Sequence, residues 1–296
     1  MNVGFIGTGK MGNPVALNIL NSGHKLFVHD INKQATQNLL EEGAMWCETL
    51  LEIAKHSYII FLCLPSHFEV EEVCFGNEGL FNTIEKGTFL IDLTTVSISL
   101  IPKLEEAEKR YQIHYVVSPV SQGVDNAKKG KLSVFVGGKR EDYKKCLPIY
   151  STISNKVIYT GDHISAISAK LLTNLLWFIN AASIAEALIL GAKSGINLAT
   201  LQEVIINSSG NSWVAEHDIP SIYNGSYDHS FTTKQCCKDL RLIYELATHL
   251  NVPIEIGSLV EQIFKRVSNV YGDDSPELSV VKHLEDITKT GLSSSM

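Results

Sequence analysis

The sequence lacks the features that mark nucleic-acid-binding, metal-binding and disulfide-rich proteins. Its 25 Lys and Arg residues are outnumbered by 32 Asp and Glu residues, for a net charge of −7. Because binding to nucleic acid requires clustered Lys and Arg, we do not expect nucleic acid as a partner. The six cysteines show neither C-x-x-C spacing nor histidines placed as metal ligands. We therefore expect reduced thiols in a core and no metal site.

We also expect no secretory leader at the N-terminus. The first predicted strand begins at residue 2, which leaves no room for a charged n-region, an apolar h-region and a cleavage site. The sequence therefore predicts a cytoplasmic protein.

Length and hydrophobic content indicate two domains. The chain has 296 residues, of which 45% are hydrophobic, enough for two buried cores. From residue 1 to about 160, short apolar runs alternate with amphipathic stretches, which is typical of a parallel sheet covered by helices on both faces. After Gly161 the strand signals stop. We predict a doubly wound α/β domain over residues 1–163 and an all-helical domain over residues 164–296.

A long apolar stretch joins the two predicted domains. Residues 164–194 contain no proline and carry apolar residues nearly all round, which predicts a buried helix that ends near Gly195. A membrane span is the alternative interpretation. Lys170, Asn174, Asn180 and Glu186 make insertion costly, by roughly 2.5 to 3.5 kcal/mol for a central lysine alone. We therefore expect no membrane association.

The stretch "VGFIGTGKMGNPVA", residues 3–16, has the G-x-G-x-x-G spacing of a dinucleotide-binding turn. This spacing alone is a weak signal, but here a strand precedes the turn and a helix follows it. In such a turn, Gly7 permits the sharp bend, Gly9 lets a diphosphate approach the backbone, and Gly12 lets helix and strand pack closely. A second predicted strand ends at Asp30, eighteen residues after Gly12, where an acid could bond the ribose hydroxyls. We predict a Rossmann-type domain.

The same acid bears on the choice of cofactor. A carboxylate at Asp30 repels the 2′-phosphate of NADP, and Ile31 offers no cation to hold that phosphate. We expect NAD rather than NADP, although Lys33 lies close along the chain and leaves NADP as the alternative.

Seven segments, in order, resemble those of the β-hydroxyacid dehydrogenases, relatives of 3-hydroxyisobutyrate and 6-phosphogluconate dehydrogenases. The resemblance spans nearly the whole chain. The segments are "GFIGTGKMGNPVALNILNSGH" from residue 4, "CLP" at 63–65, "DLTT" at 92–95, "SPVSQGVDNAKKGKLSVFVGG" at 118–138, "KLLTN" at 170–174, and "GNSW" at 210–213 with "FTTKQCCKDL" at 231–240.

The resemblance implies roles for individual residues. It makes Lys170 the general acid/base, and a lysine on a largely apolar helix suits that role because desolvation favours its neutral form. Asn174 lies four residues on, hence on the same helical face, where it could bond the substrate. Ser121, Gln122 and Gly123 are the implied substrate-binding residues. The implied cofactor-binding residues are Gly7, Gly9, Lys10, Met11, Gly12, Asp30, Leu64, Pro65, Thr95 and Lys238.

Two departures from the family pattern affect this interpretation. Gln122 stands where the family usually has glycine, so we expect the backbone to lose a conformation with positive φ there and a long amide to enter the region. Ile164 and Ala166 replace small residues before Lys170, which predicts a stiffer start to the long helix.

These observations predict an oxidoreductase that transfers hydride between NAD and a small β-hydroxy acid or its semialdehyde, with a carboxylate-bearing substrate in a cleft between the domains. Two alternatives stay open. An imine reductase shares the architecture but in general lacks a lysine at this position, and a non-catalytic nucleotide-binding protein could retain the same fold. The apolar helix and the family's habit predict a homodimer or homotetramer.

Overall fold

The computed structural model describes residues 1–293, divided into two compact units. The first unit is Met1–Lys170, and the second begins at Leu171. Strands and helices alternate through the first unit in this order: β1 (Asn2–Ile6), α1 (Gly12–Asn21), β2 (Lys25–His29), α2 (Gln37–Glu41), β3 (Met45–Trp46), α3 (Leu50–His56), β4 (Ile59–Leu62), α4 (His67–Phe75), β5 (Phe89–Asp92), α5 (Ile101–Tyr111), β6 (His114–Val117), β7 (Val120–Ser121), α6 (Gly123–Lys128), β8 (Leu132–Gly137), α7 (Arg140–Tyr150) and β9 (Ser154–Gly161).

In the described residues, nine strands form one sheet in the order β3-β2-β1-β4-β5-β6-β8-β7, with β9 paired to β8. Strands β1 to β6 run parallel to one another, and Gly4 lies opposite Phe27 of β2 and Ile60 of β4. The order 3-2-1-4-5-6 is that of the doubly wound dinucleotide-binding fold, in which ligands bind where the strand order reverses, between β1 and β4. The predicted fold class is confirmed.

The last strands depart from the parallel arrangement. Strand β8 runs antiparallel to both β6 and β7, with Val120 opposite Val134, whereas β9 is parallel to β8. The apolar runs predict these strands but carry no information on their direction.

The centre of the sheet is buried on both faces because helices cover both sides. Every residue of β4 and of β5 is buried. The rings of Phe5 and Phe61 stack between β1 and β4, with centroids 5.6 Å apart. The carboxyl ends of β1, β4 and β5 are therefore held side by side by packed core.

Helix α8 (His163–Lys193) has 31 residues, close to the predicted 164–194. The division between the compact units falls inside this helix, after Lys170, whereas our predicted domain boundary lies at its start. In the part of the chain that the structure describes, α8 is the one helix whose length and composition would allow it to cross a membrane. The core helix of a soluble protein passes the same test.

The second unit is helical. Beyond α8 it contains α9 (Leu198–Ile206), a π-helical turn (Val214–Asp218), α10 (Ile219–Tyr223), α11 (Thr233–His249), α12 (Glu255–Tyr271) and α13 (Ser279–Thr288). Trp177 of α8 donates its indole N–H to Asp218 at 2.9 Å. The rings of Phe178 and Phe264 meet edge to face, with centroids 5.4 Å apart, so α8 packs against α12.

Candidate active site

The turn between β1 and α1 requires its glycines. Gly7 has φ +90°, and a Cβ atom there would lie 2.4 Å from the carbonyl oxygen of Cys63. A Cβ atom on Gly12 would lie 2.0 Å from the carbonyl oxygen of Gly7. Around Gly9, no atom of the described residues other than Thr8, Gly9 and Lys10 lies within 4 Å of the Cβ position, and this glycine is exposed. The backbone can thus be approached closely from solvent at Gly9.

The N-terminus of α1 suits an anion. Among residues 1–293 no side chain caps this helix, and its first turn carries no acidic residue. The first N–H groups of a helix and its positive dipole end attract phosphate groups. Of the two residues before Gly12, Lys10 is exposed and Met11 is half-buried against the core of the first unit. The glycine turn and α1 together fit the diphosphate of a dinucleotide.

Asp30, after β2, is fixed against the glycine turn. Its Oδ2 accepts hydrogen bonds from the N–H (2.6 Å) and the hydroxyl (3.1 Å) of Thr8. Its Oδ1 accepts a hydrogen bond from the N–H of Asn32 at 2.8 Å. A carboxylate accepts about four hydrogen bonds, so three protein donors leave capacity for a ribose hydroxyl. The position beside the turn fits the ribose-binding acid of this motif.

The nearest lysine along the chain is engaged elsewhere. Lys33 Nζ lies 3.9 Å from Glu48 Oε2 and 4.8 Å from the centroid of the Trp46 ring. The Trp46 indole N–H donates to the same carboxylate at 2.6 Å.

The loops after β4 and β5 meet beside the glycine turn. The N–H of Cys63 donates to the carbonyl of Ile6 at 2.9 Å, which continues the β1–β4 pairing into the loop. The N–H of Leu64 donates to Thr94 Oγ1 at 3.0 Å. Pro65 is exposed and Thr95 is half-buried in the same two loops. The structure thus brings the predicted residue Leu64 close to Gly7, and Pro65 and Thr95 lie next in sequence to the hydrogen-bonded pair Leu64 and Thr94.

A buried carboxylate supports these loops. Asp92, at the end of β5, is fully buried, and it accepts hydrogen bonds from the N–H of Thr94 at 2.9 Å and the hydroxyl of Tyr115 at 3.0 Å. Burial raises the pKa of Asp92 to about 6, and the hydrogen bonds from Thr94 and Tyr115 partly oppose that rise. Asp92 therefore links the end of β5 to Tyr115, the second residue of β6.

The predicted substrate residues occupy the turn from β7 into α6. Ser121 ends β7, opposite Ser133 of β8. Gln122 has φ +94° and Gly123 has φ +73°. Our expectation that glutamine would remove the positive φ is wrong: Gln122 keeps a left-handed backbone, which packing of the surrounding turn imposes despite the Cβ atom. Asn126 donates its side-chain amide to the carbonyl of Gln122 at 2.9 Å.

Ile164 and Ala166, the two departures from the family pattern at the start of α8, lie in different surroundings. Ala166 is fully buried, and its Cβ would be only 2.7 Å from a Cβ atom added to Gly137. Ile164 is exposed. His163, the first residue of the helix, contacts Glu105 Oε1 at 2.8 Å and the carbonyl of Tyr115 at 3.0 Å through its two ring nitrogens.

Lys170 and Asn174 are both half-buried and lie one helical turn apart on α8. Asn174 donates its side-chain amide to Asp239 Oδ2 at 2.7 Å. Lys238 Nζ lies 3.1 Å from the other carboxylate oxygen, Oδ1. Asp239 itself is 2% exposed. The carboxylate therefore fixes the amide of Asn174 and the ammonium group of Lys238 at one place in the second unit.

Helix α11 positions this carboxylate. A capping box begins the helix: the Thr232 hydroxyl accepts from the N–H of Gln235 at 3.3 Å, while the Gln235 side chain accepts from the N–H of Thr232 at 2.9 Å. One turn later Cys236, Asp239 and Leu240 point to the buried side of the helix. Asp239 thus occupies a position in an otherwise apolar stripe.

Apart from Lys170, the predicted residues form three groups. The glycine turn, Asp30 and the loops at 63–65 and 92–95 make one group in the first unit, and Ser121 to Gly123 make a second. Asn174 and Lys238 make a third in the second unit. Within the described residues, no three His, Cys, Asp or Glu side chains are grouped so as to hold a metal ion. All six cysteines are free thiols, and four of them are buried.

Sequence reasoning missed the residues that hold these groups in place. The missed residues are Thr8, Asp92, Thr94, Tyr115 and Asp239. Two signals could have found some of them: Asp92 ends the apolar run "FLID", and Asp239 interrupts the apolar stripe of α11. A charged residue at a position where the pattern demands an apolar one is retained for a partner.

Comparison with known proteins agrees with this geometry. A family described as the NAD-binding domain of 6-phosphogluconate dehydrogenase matches residues 2–161. A second, described as NAD-binding of NADP-dependent 3-hydroxyisobutyrate dehydrogenase, matches residues 165–284.

Curated relatives and a solved structure match over nearly their full lengths. 2-(Hydroxymethyl)glutarate dehydrogenase of Eubacterium barkeri is 33% identical over 99% of this chain and 98% of its own. 3-Hydroxyisobutyrate dehydrogenase of Pseudomonas aeruginosa is 31% identical over 89% and 91%. The crystal structure of 3-hydroxyisobutyrate dehydrogenase from Salmonella typhimurium superposes with a TM-score of 0.87 at 26% identity, over 96% and 99%. The chain therefore belongs to the β-hydroxyacid dehydrogenase family of NAD(P)-dependent oxidoreductases.

Proposed function

We propose that the protein is an NAD-dependent dehydrogenase that oxidises a small β-hydroxy acid, or reduces the corresponding semialdehyde, with Lys170 as general acid/base. One observation carries the proposal: a glycine turn fitted to a dinucleotide occurs in the same chain as Lys170 and an Asn174 that is oriented one turn later by a buried carboxylate. A reaction at an alcohol oxygen needs a group that moves a proton and a group that orients the oxygen, and a lysine and an oriented amide suit these two roles.

The cofactor choice rests on Asp30. Its carboxylate is fixed beside the glycine turn by Thr8, and its negative charge disfavours a second phosphate on the ribose. Ile31, the next residue, is fully exposed and carries no charge. Lys33 faces Glu48 and Trp46, which compete for its ammonium group. NAD is therefore the proposed cofactor, and NADP the weaker one.

The protein's own groups act on the substrate oxygen. The nicotinamide supplies the acceptor or donor of hydride at the substrate carbon. During alcohol oxidation, the neutral amine of Lys170 accepts the hydroxyl proton; during reduction, its ammonium form returns a proton to the carbonyl oxygen. Asn174 has one amide N–H committed to Asp239, which leaves its carbonyl oxygen and second N–H to orient the substrate hydroxyl.

A carboxylate is the proposed recognition group of the substrate. Ser121 offers a hydroxyl, and the left-handed backbone at Gln122 and Gly123 turns successive N–H groups at the start of α6, an arrangement that binds anions. The relatives named above are dehydrogenases of hydroxyisobutyrate and of hydroxymethylglutarate, which supports a small hydroxy acid as the substrate class.

We also propose a cytoplasmic homodimer or homotetramer. In the second unit, α8 leaves Leu172, Leu176 and Leu190 more than half exposed, and a second copy of the chain would cover such side chains. Light scattering at micromolar concentration tests this: a monomer would contradict it.

The decisive experiment is NADH formation with a panel of hydroxy acids: 3-hydroxyisobutyrate, 2-(hydroxymethyl)glutarate, glycerate, threonate, serine and 4-hydroxybutyrate. We expect turnover with at least one, lost in Lys170→Ala and retained in Lys193→Ala, which removes an exposed lysine from the same helix. NADH binding without turnover on any substrate, in either direction, would instead indicate a non-catalytic nucleotide-binding protein.

A further inference from the structure

A relay of hydrogen bonds joins the carboxyl ends of β4 and β5 to Tyr115 of β6. The N–H of Leu64, after β4, donates to Thr94 Oγ1 at 3.0 Å. The hydroxyl and the N–H of Thr94 both hydrogen bond to Asp92, at the end of β5. Tyr115 of β6 donates its hydroxyl to the same carboxylate at 3.0 Å. One carboxylate thus sets the positions of a backbone N–H and two hydroxyls.

The relay is buried, and burying the charge of a carboxylate costs desolvation free energy. Asp92 is 0% exposed, Tyr115 is 1% exposed and Thr94 is 3% exposed. Asp92 faces no cation: among the described ion pairs none includes it, and the other titratable groups near it are the Cys63 and Cys74 thiols and the Tyr115 phenol. Hydrogen bonds alone compensate for its burial. An asparagine would fill the same space without a buried charge, so the carboxylate indicates a demand beyond packing.

The relay lies next to the glycine turn. Leu62 of β4 is opposite both Ile6 of β1 and Asp92 of β5. The Cys63 carbonyl is the atom that a Cβ at Gly7 would strike, so the loop at 63–65 forms one wall of that turn. Shifting Leu64 by a few tenths of an ångström would therefore move the wall against which the turn is packed.

We propose that Asp92, acting through Thr94, is a positioning residue for the nicotinamide nucleotide: it holds the loop at 63–65 in the conformation that binds the cofactor. Neither residue need touch the cofactor. The role rests on the proposed function only in requiring that a nicotinamide nucleotide binds at the glycine turn.

The test is the NADH dissociation constant, measured by fluorescence titration on the full chain without substrate. Thr94→Val keeps the side-chain shape but removes the acceptor of the Leu64 N–H, and we expect about a tenfold increase in the dissociation constant. Thr94→Ser retains the hydroxyl and should restore binding to within about twofold. Tyr115→Phe, which removes the second donor to Asp92, should weaken binding about threefold and serves as a second variant should Thr94→Val fold poorly.

Thr152→Val is the matched control. Thr152, in the turn before β9, donates its hydroxyl to the carbonyl of Ile149 at 2.8 Å in the same unit. This variant should lower the melting temperature and leave the NADH dissociation constant unchanged, which separates positioning from general stability.

The outcomes distinguish this inference from the proposed function. A dissociation constant within twofold of wild type for both Thr94→Val and Tyr115→Phe overturns the inference and leaves the dehydrogenase proposal intact. If Thr94→Val and Tyr115→Phe weaken NADH binding as expected but the wild type turns over no hydroxy acid, the inference is supported and the proposed reaction is refuted. A wild-type chain that binds neither NADH nor NADPH overturns both.

Discussion

Replacing Gln122 by glycine should make the protein more stable, although glycine substitutions usually do the opposite. Gln122 holds φ +94° and ψ +5° at the start of α6. A left-handed conformation costs a residue with a Cβ atom about 1 to 2 kcal/mol, and glycine adopts it without that cost. Glycine also gains about 0.4 to 1 kcal/mol of conformational entropy in the unfolded chain relative to alanine.

The two effects leave a net gain for glycine over alanine of about 0.5 to 1 kcal/mol. The assay compares the melting temperatures of Gln122→Gly and Gln122→Ala by calorimetry, since both variants lose the same side-chain amide. For a chain of this size the difference should be about 1 to 4 °C in favour of glycine. Val124, inside α6, supplies the control with the opposite sign: there glycine should be less stable than alanine by about 1 kcal/mol.

A Gln122→Gly variant that melts at or below Gln122→Ala would refute the reasoning, because it would mean that the backbone at this position carries no strain. If the pair behaves as expected, the hydroxy-acid panel run on Gln122→Gly reports the contribution of the amide to substrate choice, free of any backbone change.

Four further predictions follow from the site. Lys170→Ala should abolish turnover while NADH still binds, and substantial remaining activity would remove its role as general acid/base. Asp30→Ala should relax the preference for NAD in the ratio of kcat/KM values, and a wild type that prefers NADP would contradict our account of this carboxylate. Asp239→Asn keeps an acceptor for Asn174 but loses the charge, so kcat should fall about tenfold, or 1.4 kcal/mol; an unchanged kcat would exclude an orienting role. The pKa of Asp92 is about 6 in the folded protein and 3.8 ordinarily, so the folded state binds more protons, and stability should fall by about 2 kcal/mol as pH rises from 4 to 6. Denaturant unfolding of Asp92→Asn should lack that share of the loss, and an unaltered pH slope would contradict the burial argument.

Periodicity and spacing were sufficient for the architecture. The alternation of apolar runs with amphipathic stretches predicted the parallel sheet, and the uninterrupted apolar stretch at 164–194 predicted α8 to within one residue at each end. Both patterns reflect which faces are buried, and burial determines where such strands and helices form. Strand direction is decided by distant pairing, which local pattern does not encode, so the antiparallel β7 and β8 were not foreseen.

Supporting residues were harder to predict than the residues they support. Glycine spacing pointed to Gly7 and Gly12, whose steric demands are local. Thr8 hydrogen bonds to Asp30, which is 22 residues away along the chain. Asp239 hydrogen bonds to Asn174, which is 65 residues away. A single sequence contains no record of such contacts. The backbone of Gln122 was mispredicted because surrounding structure overrode the preference of the residue itself.

The setting of Trp46 gives the first unit an optical probe of its own. It is the sole tryptophan before residue 170, since the other two stand at positions 177 and 213. Its ring stacks on His29, the residue before Asp30, with centroids 5.6 Å apart. Indole emission overlaps the absorption of reduced nicotinamide, so once Trp177 and Trp213 are replaced by phenylalanine, energy transfer from this one ring can follow nucleotide capture without any label.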